Sequence, residues 1–179
     1  DQVTVFAKSI TSSFKNYKIT KALLDTAGVP GFDATQIAFI SVVMDDGSTG
    51  STTASGTVDV NTKGLLFNPT AVQTADAVTD FTGLGTTIGQ IEPCATAGQD
   101  PCTSGTLNTV TAFTQDSGTH YSFSYNLGNG ADSGFRRFAG TLFNFAGNTV
   151  DATGGIVLGL KATGTTGGKV KLVFEDASG

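Results

Sequence analysis

The chain has 179 residues, a net charge of −5 and only 14% charged side chains. That length suits one all-β domain, and the acidic balance excludes a nucleic-acid-binding protein, which needs a basic face. Thr and Gly supply 29 and 24 residues, beside one His, two Cys, one Met and no Trp, so a many-stranded β protein is expected with little side-chain chemistry.

The first β-capable stretch is residues 3–8. Residues 1–15 are read as an N-terminal strand segment able to act as a donor, and 16–179 as a single sandwich domain. Residues 16–27 are the one helix candidate, because Ile19, Leu23 and Leu24 share a face and Gly28 would stop it. Residues 36–44 form an apolar, β-branched run ended by Asp45-Asp46-Gly47, which reads as a buried strand. Further strands are expected at 52–60, 64–68, 86–92, 106–115, 119–127, 135–145, 155–163 and 169–175. Asp46-Gly47, Ser117-Gly118, Asn129-Gly130 and Gly167-Gly168 stand between them as hairpin signals, since each tolerates positive φ. About ten short strands with such spacing predict an antiparallel, jelly-roll-like β-sandwich with at most one short helix.

The clearest alternation is 120–125, with Tyr121, Phe123 and Tyr125 on one face and His120, Ser122 and Ser124 on the other. At half-buried strand spacing such a stripe is core more often than a sugar-binding platform. Val170, Leu172 and Phe174 repeat the pattern near the end, opposite Lys169 and Lys171.

Cys94 and Cys102 each follow a proline and bracket a polar loop, which reads as a disulfide-pinned loop in an oxidising compartment. Two thiols and one distant His do not complete a zinc site. The chain begins at Asp1 as a processed secreted chain would, and no apolar run approaches the length of a membrane span. An extracellular or cell-surface location is therefore expected.

Catalytic patterns are weak. Gly164 to Val170 is one residue short of a phosphate-binding loop and lacks its Ser or Thr, and Gly83-x-Gly85 and Gly128-x-Gly130 lack the third glycine of a dinucleotide fingerprint. His120 would need an orienting acid, for which Asp116 is the candidate, and Glu92 and Glu175 are too far apart in sequence to be paired by it. No enzyme activity and no cofactor are expected. Asp45, Asp46 and Asp132 are weak calcium candidates on loops, with ordinary turn chemistry as the bland alternative.

Charge is unevenly spread. Lys8, Lys15, Lys18 and Lys21 form a basic opening with no acid between Gln2 and Leu24, whereas residues 22–135 hold eleven acids against Lys63 alone. Lys8, Lys15, Arg136 and Arg137 are candidate docking charges; Arg136-Arg137 reads otherwise as an edge-strand guard.

Residues 64–70, 86–90 and the Gly/Thr strands after them resemble secreted bacterial surface β-sandwich proteins, including exosortase-sorted extracellular proteins and donor-strand filament subunits. The C-terminal Pro-Glu-Pro sorting signal of the exosortase group is absent, and no functional residue is carried over. The β-capable opening, the basic start beside an acidic body and the low share of charged residues lead to the expectation of a structural subunit of an extracellular filament, pilus or matrix fibre whose partner is itself, assembling head to tail. Val3, Val5 and Phe6 would be the donated strand, and deleting residues 1–14 would leave a folded, non-polymerising subunit. The alternative is a monomeric extracellular carbohydrate- or surface-binding module, with or without calcium; mutating Tyr121 or Tyr125 would then remove glycan binding without unfolding.

Overall fold

The computed structural model describes residues 1–7, 10–27, 30–45, 54–67, 87–92, 108–116, 120–129, 137–145, 147–164 and 169–178. Lys8, Asp46, Cys94, Cys102, Asp132 and Arg136 lie outside the described residues, as do the four turn dipeptides except Asn129.

Ten strands and one helix follow in order: β1 Gln2–Ala7, β2 Lys15–Ile19, α1 Lys21–Ala27, β3 Ile37–Asp45, β4 Ala54–Phe67, β5 Thr87–Ile91, β6 Thr109–Asp116, β7 His120–Leu127, β8 Phe138–Asn144, β9 Ile156–Thr163 and β10 Lys169–Asp176. They make two five-stranded sheets, ordered β1-β10-β3-β8-β5 and β2-β9-β4-β7-β6, and every pairing is antiparallel. The outer strands of the chain pair with each other (β1 with β10, β2 with β9) and the inner ones follow (β3 with β8, β4 with β7). This is a long double-stranded ribbon rolled up into a sandwich, the jelly-roll arrangement.

The turn signals needed correction. Of the four, only Ser117-Gly118 joins neighbours in one sheet, β6 and β7. The other three connect β3 to β4, β7 to β8 and β9 to β10, which lie in opposite sheets. Tolerance of positive φ marks a reversal but says nothing about which sheet receives the next strand.

Two elements also differ from expectation. Residues 15–19 are strand, not the first half of a helix, and pair with β9 from Lys15↔Leu160 to Ile19↔Ile156. The helix begins only at Lys21, where the Thr20 hydroxyl caps the Leu23 N–H at 3.2 Å and a Lys21–Asp25 ion pair at 2.8 Å spans its exposed side. The stretches 52–60 and 64–68 are one strand, β4, whose pairing with β9 is interrupted between Asn61 and Leu66.

The core lies between the sheets and follows the period of two. One sheet contributes Val3, Ile40, Val42, Met44, Ala139, Phe143, Val170, Leu172 and Phe174. The other contributes Ile19, Val58, Val60, Tyr121, Phe123, Tyr125, Ile156, Leu158 and Leu160. The aromatic stripe is core: Tyr121 and Tyr125 are 1% and 2% exposed, and the Tyr121 ring meets Phe143 edge-on at 5.3 Å across the sandwich. A glycan platform built on Tyr121 or Tyr125 is thereby overturned, because truncating either opens the core. Residues 37–44 are buried or half-buried on both faces, as their unbroken apolar pattern required, while Gln36 before them is exposed.

Candidate functional site

The N-terminal segment builds one whole flank of the sandwich. β1 is the edge strand of one sheet and β2 the edge strand of the other. β1 pairs with β10 of its own chain from Gln2↔Glu175 to Ala7↔Val170, so the strand is seated in cis. Its burial alternates: Val3 is fully buried, Ala7 buried and Val5 half-buried, while Gln2 and Phe6 face out. Val3 and Val5 thus face the core of their own chain. Phe6 does not: it lies on the opposite face, 46% exposed, with the Lys169 ammonium 5.7 Å from its ring centre. Since β1 is part of the core, deletion of residues 1–14 cannot leave an undisturbed fold.

The candidate charges fall in different places. Lys15 is exposed on β2, at the rim of the same flank. Arg137 is 5% exposed and enters β8, which is flanked by β3 and β5, so it is neither an edge guard nor a charge offered to a partner. Asp45 forms an ion pair with Lys171 at 2.9 Å. Among the described residues no three His, Cys, Asp or Glu side chains gather as a metal site. The register sets Asp116 directly across from His120. Glu92, just after β5, and Glu175, near the end of β10, are separated by β3 and β8 in the same sheet. No helix among the described residues is long and apolar enough to cross a membrane.

At the foot of β1 is a polar anchor that sequence reasoning missed, because its parts are separated by most of the chain. The Asp176 carboxylate, with its side chain fully buried, accepts the Asp1 α-ammonium at 2.8 Å and the Asp33 N–H at 2.8 Å. It also accepts the Ser178 N–H at 3.0 Å and the Ser178 hydroxyl. Asp33 in turn accepts the N–H and hydroxyl of Thr35 at 2.9 and 2.7 Å. Burial alone would raise the Asp176 pKa, but the bonds from the Asp1 ammonium, Ser178 and Asp33 outweigh it and hold the group well below the usual carboxylate range.

A depressed pKa means that the unfolded chain takes up the proton first. The stabilisation is therefore complete above the ordinary value of 3.8 and fades as pH falls below it. Asp176→Asn is expected to lower stability by about 2–3 kcal/mol at neutral pH, since it removes the buried charge on which the bonds from the Asp1 ammonium, the Asp33 N–H and Ser178 converge. It should also flatten the loss of stability below pH ~4. Urea titrations of both chains across pH 2–7 check this; equal midpoints and equal acid profiles would refute it.

The two flanks differ. At β1 and β2 the sheets are bridged by residues 10–14, with the Ala162 N–H donating to the Thr11 carbonyl at 3.0 Å. At the far flank, β5 and β6 are stitched by side chains: Gln90 Nε2 donates to the Val110 carbonyl at 3.4 Å, and Glu92 accepts the Val110 N–H. The register of β6 on β7 shifts there, between Val110 and Ala112.

What the fold and this flank define is a double-sheet all-β sandwich completed by its own first strand. No family model, curated protein or solved structure matches the chain.

Proposed function

We propose that the protein is a structural subunit of an extracellular filament, pilus or matrix fibre that assembles head to tail by passing β1 to a neighbouring copy. One observation carries this reading. β1 is an edge strand that fills a slot over Val170, Leu172 and Phe174 with Val3, Val5 and Ala7. A copy that withdraws β1 presents that slot to an identical strand, so the same ladder and the same alternate side chains are recovered in trans. Because the donor of one copy fills the acceptor of the next, the contact is heterologous and does not close.

The test uses the register. Ala7 lies directly opposite Val170, so Ala7→Cys with Val170→Cys can seal β1 in place. Chains oxidised before assembly are expected to remain single particles under negative-stain electron microscopy at neutral pH. Chains assembled first and oxidised afterwards should run as a covalent ladder on a denaturing non-reducing gel. Assemblies built from pre-sealed chains, or wild-type protein that stays dispersed, would overturn the proposal.

A further inference from the structure

We infer that the outward edge of β1 docks on the β5 edge of another copy, joining filaments side by side by continuing one sheet from subunit to subunit. This rests on the self-assembly proposed above but uses a different surface. Strand donation engages the edge of β1 that faces β10, and the other edge is left over whichever copy β1 is seated in.

A sheet edge is a row of unsatisfied N–H and C=O groups, and proteins that remain single guard it with charge, bulges or side-chain caps. The four edge strands are treated unequally. β2, Lys15–Ile19, carries exposed Lys15 and Lys18. β6 is irregular at Val110, whose backbone N–H and C=O are already taken by Glu92 and Gln90. β1 reads Gln-Val-Thr-Val-Phe-Ala and β5 reads Thr-Ile-Gly-Gln-Ile, neither with a charged residue. Among the described residues, no strand lies on the outer side of either. Among the described residues, the edges that carry such guards belong to one sheet and the edges that carry none belong to the other.

Topology makes these two edges compatible. Four successive antiparallel pairings separate β1 from β5, so the two edge strands run in the same direction. A copy displaced sideways without turning over therefore sets its β1 beside β5 as a parallel pair of similar length, six residues against five. The same displacement brings the lysine-bearing β2 toward β6, which ends at Asp116. A two-fold arrangement would instead set β2 lysines against β2 lysines, so charge favours the displaced copy. The occupant is a second copy of this chain.

The experiment adds edge charge where the fold tolerates it. Gln2 is exposed opposite Glu175, and Thr4 sits on the same outward face opposite Val173. Gln2→Lys with Thr4→Lys, and separately Phe6→Lys, leave the inward Val3, Val5 and Ala7 intact. Wild-type protein is expected to form laterally joined filaments in electron micrographs. Both variants should retain the wild-type circular dichroism spectrum and form single, unjoined filaments. Variants that bundle as the wild type does would overturn the lateral contact and leave strand donation standing. Wild-type protein that forms no filaments would overturn both.

Discussion

A chain that begins at residue 15 is expected not to hold the native fold by itself, and to regain it when a synthetic peptide of residues 1–14 is added. β1 buries Val3 completely and most of Ala7, half-buries Val5, and covers Val170, Leu172 and Phe174 from the flank. Losing that burial removes on the order of 4–6 kcal/mol, a large share of the 5–15 kcal/mol by which a domain is typically stable. The deletion also bares the edge of β10, a strand whose inner face is apolar, and aggregation is the expected fate. The peptide offers the missing ladder and side chains at once. Its binding should therefore restore a cooperative thermal transition that depends on peptide concentration. A peptide with Val3→Asp should fail, and one with Phe6→Lys should succeed, because position 6 faces outward. A shortened chain that melts within a few degrees of the full chain would refute the slot and weaken the case for donation with it.

The second large effect is expected at Gly140, on β8, opposite Val43 on β3 and Ile91 on β5. A Cβ there would lie 2.2 Å from the Val42 carbonyl oxygen and 2.7 Å from the Val43 Cα. Both are backbone atoms of an interior strand packed on each side, so neither can yield by rotating a side chain. Gly140→Ala is expected to cost about 3 kcal/mol or more, read as a fall in the denaturation midpoint. Gly147 supplies the control. Its φ is +86° and a Cβ there meets nothing within 4 Å, so Gly147→Ala should cost only the about 1–2 kcal/mol of a left-handed alanine. Equal losses at the two positions would mean that crowding between β3 and β8 is not what requires glycine.

Much of this fold is legible in the sequence wherever a strand has one dry face or two. The alternation through 120–125 and 169–175, and the unbroken apolar run before Asp45, each state their burial directly. β2 was hidden because Lys-Asn-Tyr-Lys-Ile is an edge strand with only Ile19 fully buried. Ile19 also falls at helical spacing from Leu23, so propensity and periodicity pointed the wrong way together. The bulged middle of β4, around Lys63-Gly64, looks like a turn because the same residues serve both. In the flank, the basic opening and the apolar β1 pattern were readable locally. The Asp176 anchor was not, since nothing near residue 176 announces that Asp1 and Asp33 will meet it.

The rolled-ribbon connectivity also sets the order in which this protein can form. β10, the last of the ten described strands in chain order, lies between β1 and β3 in its sheet. Until it arrives, the first strand lacks its one described sheet neighbour and stands apart from β3, β8 and β5. Closing the sheet brings together residues as distant as Gln2 and Glu175, a loop of nearly the whole chain, which places folding at the slow end for its size. The interval is the chain's period of greatest exposure to others of its kind. On the strand donation proposed above, subunits released close together in time would trade first strands before each has finished its own sheet, and local production rate, as much as affinity, would govern whether they end as monomers or as a fibre.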